Sequence, residues 1–139
     1  MKGLRILHID DNEDDLELTR LNLLRQNGNL KIDLARSAEE ALARLHEEDY
    51  DCVLCDYMMP KTDGMQFLLA LRKKGNSIPF IFYTCFYSED IAARALRNGA
   101  DAVIFKEVTA SHFEKLYRSI VEVATSHEPR KAGEADHDA

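Results

Sequence analysis

Apolar residues along this chain gather in five short segments, and apolar residues with helical spacing follow each segment. The segments are Leu4–Ile9, Lys31–Ala35, Cys52–Cys55, Ile78–Tyr83 and Ala102–Phe105. Short apolar runs fringed by polar residues are typical of strands buried in a parallel sheet. The pattern therefore predicts five strands, each followed by a helix.

The segments between these strands contain residues that typically begin or end helices. Ser37-Ala38-Glu39-Glu40 is a capping box at the start of the second helix, and Ser111 with Glu114 repeats that pattern at the last helix. Glycines 28, 75 and 99 are expected to end the helices before them, Gly28 in the left-handed conformation.

Strands and helices thus alternate five times with short connections. This alternation predicts an α/β fold, a doubly wound five-stranded parallel sheet with helices on both faces. Residues 1–126 are expected to form one domain. Residues 127–139 have no apolar face and are expected to form a disordered C-terminal tail or linker.

Composition narrows the classes of function. A chain of 139 residues suits one domain with a single core. The net charge of -7 disfavours direct binding to nucleic acid. No stretch is long and apolar enough to cross a membrane, and the N-terminus lacks a signal-peptide core, so a cytoplasmic location is expected.

The spacing Cys52-x-x-Cys55 resembles a redox or zinc motif. Residues three apart in a strand point to opposite faces, so these sulfurs are not expected to share a metal or form a disulfide. We interpret both cysteines as small buried hydrophobic residues.

Charged and hydroxyl side chains stand where four of the strands end. Asp10 and Asp11 follow the first strand, Asp56 the third, Thr84 the fourth and Lys106 the fifth. Parallel strands have their carboxyl ends at one sheet edge, where open α/β folds place their sites. Crowded carboxylates favour a hard divalent cation such as Mg²⁺. A lysine beside them suits a phosphoryl group.

This arrangement resembles the receiver domain of two-component response regulators, the CheY-like superfamily, over residues 4–124. The motifs that carry the resemblance are Ile9-Asp10-Asp11, Leu54-Cys55-Asp56 with Pro60 and Asp63-Gly64 downstream, Tyr83-Thr84, Asn98-Gly99-Ala100-Asp101 and Phe105-Lys106. The resemblance implies a flavodoxin-like (βα)5 fold and a role as receiver in a two-component phosphorelay.

The resemblance also implies how the site works. Asp56 would accept a phosphoryl group from a phosphohistidine on a histidine kinase or a phosphotransfer protein. Mg²⁺ would be held by Asp11, Asp56 and the backbone carbonyl of Met58, with Asp10 acting largely through water. The domain would lose its phosphoryl group to water and would not turn over a free metabolite.

Two further residues would respond to the phosphoryl group. Lys106 would pair with Asp56 and then with the phosphoryl oxygens, while Thr84 would swing toward them. The movement would alter the surface of the fourth helix, fifth strand and fifth helix, which the family uses for downstream proteins. Neither nucleic acid nor a membrane is expected as a direct partner.

The chain departs from the family pattern beside the site. Val103 stands where an aromatic residue is usual, and a valine lacks the inward and outward rotamers of that residue. Glu107 stands where proline often follows the lysine, so a trans peptide bond is expected there. Cys85 follows Thr84 where a smaller residue is usual. These departures affect the output of the switch more than its chemistry.

Several other residues that could suggest a binding site are given ordinary structural roles. The acidic run after the first strand is no EF-hand, because Asp15 and Leu21 occupy positions that need glycine and glutamate. Glu13, Asp14 and Asp15 are instead expected to be solvated residues that open a helix. His8 is expected to be a packed or edge histidine. Phe86 and Tyr87 are either locally packed or a contact for a partner.

Two alternative functions compete with that of a receiver. One is a receiver-like interaction module that works without phosphorylation, although the chain keeps the acidic pair, the aspartate and the lysine. The other is an aspartate-nucleophile phosphatase, which needs a second acid where Met58 stands. The chain is compatible with a freestanding regulator or with a receiver cut from a longer protein such as a hybrid kinase.

Overall fold

Five strands and five helices alternate along residues 3–137, the part of the chain that this computed structural model describes; side chains are described for residues 3–126. The strands are β1 (Arg5–Ile9), β2 (Lys31–Ala35), β3 (Cys52–Cys55), β4 (Phe80–Thr84) and β5 (Ala102–Phe105). The helices are α1 (Glu13–Gln26), α2 (Ala38–Glu47), α3 (Gly64–Lys73), α4 (Glu89–Arg97) and α5 (Ala110–His137).

The strands form one parallel sheet in the order β2-β1-β3-β4-β5, which confirms the predicted fold class. At its carboxyl end, Ile9 of β1 pairs with Ala35 on one side and with Cys55 on the other. The direction of strand progression reverses between β1 and β3. Open α/β sheets bind their ligands at such a switch point.

Helices cover both faces of the sheet and bury two apolar clusters against it. α1 and α5 pack on one face through Leu23, Phe113, Leu116 and Ile120. α2, α3 and α4 pack on the other through Ala41, Met65, Leu68, Leu71 and Ala95. Every residue of β3 and β4 is buried, which explains their nearly continuous apolar sequence.

The two strand cysteines belong to different faces of the sheet. Cys52 lies in the cluster under α1 and α5, and Cys55 lies in the cluster under α2 to α4. Burial raises the pKa of both thiols, which keeps them protonated and unreactive. The prediction that they are buried small residues is confirmed.

Most predicted helix boundaries are confirmed. The Ser37 hydroxyl accepts a hydrogen bond from the backbone N–H of Glu40, 3.1 Å away. The other half of the predicted capping box is wrong, because the Glu40 carboxylate accepts from the backbone N–H of Arg36 and not from that of Ser37. Gly75 and Gly99 follow α3 and α4 with φ of +84° and +107°. The prediction for Gly28 is wrong, because Asn27 already leaves the helix in an extended conformation and Gly28 has no positive φ.

The predicted cap of the last helix is also wrong. α5 begins at Ala110, so Ser111 lies inside its first turn. The Thr109 hydroxyl caps the helix instead, since it accepts a hydrogen bond from the backbone N–H of His112 at 3.1 Å. Two candidate hydroxyls two residues apart made this choice ambiguous from sequence.

The predicted tail, residues 127–139, begins inside α5, which continues to His137. Its side chains and its last two residues lie outside the described part of the chain, so the disordered tail stays a prediction. No helix of the described residues is long and apolar enough to span a membrane.

Candidate functional site

Three carboxylates meet at the carboxyl ends of β1 and β3. Asp10, Asp11 and Asp56 each offer one oxygen, and these oxygens all lie within 4.8 Å of one another. Asp10 and Asp56 are buried, whereas Asp11 is exposed. The backbone N–H of Asp56 donates to the carbonyl of Ile9 at 3.0 Å, so strand pairing continues up to the site.

Lys106 extends from the end of β5 into this cluster. Its Nζ is 2.6 Å from Oδ2 of Asp10 and 3.6 Å from Oδ2 of Asp56. The backbone N–H of Lys106 donates to the carbonyl of Thr84 at 2.9 Å, which fixes the base of the side chain. The lysine side chain is mostly buried, so solvent screens these charges weakly.

The ionisation of the site follows from burial and from charge pairing. Burial raises the pKa of Asp10 to about 6, although its hydrogen bonds from Lys106 and from the Asn12 backbone oppose that rise. Burial alone would lower the pKa of Lys106, but its hydrogen bond to Asp10 and the surrounding carboxylates raise it well above its usual value. Lys106 therefore remains charged.

One oxygen of the central carboxylate lacks a partner. Oδ1 of Asp56 is buried and accepts no hydrogen bond from the described residues. A buried carboxylate oxygen without a partner is costly, so such an atom calls for a ligand. With the oxygens of Asp10 and Asp11 nearby, the donor set is all-oxygen and suits Mg²⁺ better than softer metals.

Thr84 lies at the end of β4 and is 2% exposed. Its hydroxyl oxygen accepts a hydrogen bond from the backbone N–H of Phe86 at 3.0 Å. A hydroxyl that accepts one hydrogen bond can still donate its own hydrogen to another acceptor.

Val103, which stands where the family usually has an aromatic residue, is half-buried and pairs in register with Phe82.

The connection from β3 to α3 contains Met58 and ends at Asp63, just before α3 begins. The Met58 side chain is exposed. Asp63 caps α3 in a reciprocal capping box with Gln66, both hydrogen bonds being 2.9 Å. A Cβ on Gly64 would lie 2.4 Å from the carbonyl oxygen of Asp56. The Asp63-Gly64 pair therefore lets α3 approach the backbone of the site.

Asp15 is a site residue that sequence reasoning missed. It was expected to be a solvated acid, but its Oδ2 lies 2.9 Å from Nζ of Lys106 and its side chain is 32% exposed. The sequence offers only a partial signal: Asp15 lies in the first turn of a helix that directly follows a strand, which places it near the sheet edge but does not specify its contact with Lys106. Glu13 fits the solvated description better, since it pairs with Arg36 at the surface.

Two aromatic residues after Thr84 are both exposed and locally packed. The Phe86 ring stacks on Tyr57, with centroids 6.1 Å apart and an interplanar angle of 15°. Tyr87 meets Phe105 edge to face at 6.2 Å.

The Lys106–Glu107 bond is trans, as predicted, since no cis peptide occurs among the described residues.

His8 is packed, as predicted. It is fully buried, and its ring centroid lies 6.0 Å from that of Tyr83. Burial and the nearby Lys106 lower the pKa of His8 to about 3, so the ring is neutral.

Residues 6–118 match the family model described as the response regulator receiver domain. The transcriptional regulatory protein ZraR of Klebsiella oxytoca is 32% identical over 117 residues, which are 84% of this chain and 25% of that protein. The chain thus spans about a quarter of the length of this relative.

Solved structures agree with this match. A CheY-like receiver domain protein from Methanospirillum hungatei superposes with a TM-score of 0.75 at 27% identity, covering 90% of this chain and 99% of that one. The response regulator TrrA from Thermotoga maritima, solved in complex with Mg²⁺-BeF, gives a TM-score of 0.74 at 28% identity, with coverage of 88% and 99%. This chain belongs to the response regulator receiver domain family.

Proposed function

We propose that this receiver domain accepts a phosphoryl group on Asp56 from a phosphohistidine of a histidine kinase or phosphotransfer protein. The observation that carries the proposal is the meeting of Lys106 with three carboxylates around an unpartnered oxygen of Asp56. An aspartate that was merely buried at a strand end would need neither the two neighbouring carboxylates nor the lysine.

The transfer exchanges one bond for another. An oxygen of Asp56 attacks phosphorus, and the O–P bond forms as the N–P bond to the donor imidazole breaks. The electron pair of the broken bond stays on the imidazole nitrogen, which solvent can protonate. Lys106, with Nζ 3.6 Å from Asp56 Oδ2, stabilises negative charge on the phosphoryl oxygens.

Asp11, Asp56 and the backbone carbonyl of Met58 would hold Mg²⁺, and Asp10 would act on it largely through water. Bound there, the ion would neutralise the crowded carboxylates and the charge of the phosphoryl group. The unpartnered Oδ1 of Asp56 supports this assignment.

Thr84 would turn the chemistry into a signal. Its buried hydroxyl would donate to a phosphoryl oxygen and draw the start of the β4–α4 connection toward the site. The face formed by α4, β5 and α5 would then change for a downstream protein. The exposed apolar side chains of Leu96 and Phe105 support that face as a protein contact. We place this switch in the cytoplasm, without direct contact to nucleic acid or membrane.

Intact mass spectrometry tests the proposal. The protein is incubated with Mg²⁺ and acetyl phosphate, or with a cognate kinase and ATP, and then weighed. We expect the mass of the wild type to increase by one phosphoryl group. We expect no increase when Mg²⁺ is chelated before the reaction, and none for Asp56→Asn.

Asp14→Asn is the matched control, because it removes the same charge from an exposed position near the site and should still be modified. An unchanged wild-type mass under both conditions would contradict the proposal. The interaction module that works without phosphorylation would then be the better description.

A further inference from the structure

Lys106 is shared unequally among the carboxylates around it. Its Nζ lies 2.6 Å from Asp10, 2.9 Å from Asp15 and 3.6 Å from Asp56. The shorter contacts are hydrogen bonds, whereas the contact with Asp56 is longer than a hydrogen bond to a charged group. The lysine is thus held mainly by two residues that do not receive the phosphoryl group in the proposed function.

Asp15 contributes to this hold from outside the three-carboxylate cluster. It belongs to the first turn of α1, whereas the three members of that cluster come from the ends of β1 and β3. Its carboxylate is not needed to begin α1. Asn12 caps the helix by accepting a hydrogen bond from the backbone N–H of Asp15 at 3.1 Å.

We propose that Asp15 is a positioning residue that holds Lys106 away from Asp56 and so weakens the affinity of the site for a phosphoryl group. This inference rests on the proposed function. The Lys106 ammonium must turn from Asp15 toward the phosphoryl oxygens, and each contact it gives up subtracts from the binding free energy. Asp15 therefore sets the balance between the unmodified and the phosphorylated state.

The pair is placed where its charges interact strongly. The Lys106 side chain is 11% exposed and that of Asp15 is 32% exposed, so water and salt screen them less than a surface pair. The neighbouring Asp14 is exposed, although it carries the same charge in the same helical turn. Position, not charge alone, distinguishes the two aspartates.

Titration with a phosphoryl analogue tests this role. Beryllium trifluoride is added to the protein at a fixed, saturating Mg²⁺ concentration, and binding is followed by calorimetry. We expect Asp15→Asn to bind the analogue about two- to tenfold more tightly than the wild type, since Lys106 no longer gives up an ion pair. Asp15→Glu, which keeps the charge, should bind like the wild type.

Asp14→Asn is the control for charge alone and should change the affinity less than twofold. In a Lys106→Met background, Asp15→Asn should have no effect, because the group through which it acts is gone. The inference fails if Asp15→Asn matches Asp14→Asn, or if its effect persists without Lys106.

Failure of the inference and failure of the proposed function have different signatures. A wild-type protein that neither binds the analogue nor gains a phosphoryl group contradicts the proposed function. A wild-type protein that does both, with an Asp15→Asn variant of equal affinity, contradicts only the role of Asp15. Asp15→Ala, which is well tolerated in a helix, repeats the comparison if the asparagine variant folds poorly.

Discussion

His8 lies in β1, two positions before Asp10 in the sequence. It is fully buried, and neither ring nitrogen has a hydrogen-bond partner among the described residues. An imidazole in such a place is neutral, because burial and Lys106 hold its pKa at about 3. The unfolded chain protonates the same ring near pH 6.5. The side chain therefore makes the fold sensitive to acid.

Acid removes the stability that the neutral His8 ring contributes. The pKa of His8 is lower in the folded state, so its contribution to stability is complete above pH 6.5 and falls as the pH drops toward 3. We expect His8→Leu to remove this loss. Relative to their difference at pH 7.5, the wild type should lose about 2 kcal/mol more unfolding free energy than the variant by pH 5.

Urea unfolding of both proteins across this pH range measures the difference. Parallel stability curves would mean that His8 finds a proton acceptor or solvent in the native state.

Gly64 determines how closely α3 approaches Asp56, the proposed phosphoacceptor. An added Cβ would lie 2.4 Å from the Asp56 carbonyl oxygen and 2.7 Å from the Phe82 ring. The first neighbour is backbone and cannot turn aside, so Gly64→Ala must displace α3 or the β3–α3 connection. We expect a loss of about 1–3 kcal/mol in unfolding free energy and slower phosphorylation by acetyl phosphate.

Gly28→Ala is the control for this substitution. Its added Cβ would meet nothing closer than 4.0 Å, and its φ is not positive. A change within about 0.5 kcal/mol is expected there by chemical denaturation. Equal effects of the two substitutions would show that the close approach at Gly64 is not restrictive.

Strand ends were predictable from sequence, whereas the packing of helices over them was not. Asp56 and Lys106 each end an apolar run, and parallel strands must bring such ends to one edge. Asp15 escaped because its contact with Lys106 depends on how α1 lies over the sheet. That placement is set by tertiary packing of residues such as Leu16 and Leu23, which a local pattern does not encode.

Helix caps show the same division between local and tertiary information. The Ser37 hydroxyl accepts from the backbone N–H of Glu40, and the Glu40 carboxylate accepts from that of Arg36, all within one turn, so the local motif suffices to predict where the helix starts. At the last helix, Thr109 and Ser111 both offer a hydroxyl. Only the folded structure shows that Thr109 caps the helix.

Ligand binding should stabilise the entire domain, because the site joins strands from both halves of the sheet. Mg²⁺ with beryllium trifluoride at about a hundred times its dissociation constant should add about 2.7 kcal/mol to the unfolding free energy. For a chain of this length the melting temperature should rise by roughly 10 °C. Differential scanning calorimetry measures the shift.

Asp56→Asn supplies the control, since it should melt at the same temperature with and without the analogue. If the analogue leaves the melting temperature of the wild type unchanged, a ligand site that joins β1, β3 and β5 is contradicted.

The contact between Asp10 and Lys106 spans 96 positions of the chain. A ribosome delivers the acidic pair first and the lysine much later, and N-terminal segments begin to fold during synthesis. A nascent chain that ends before β5 presents the acidic residues without the cation that balances them. Under the proposed function, competence for phosphotransfer would therefore arise only after β5 and Lys106 have been synthesised.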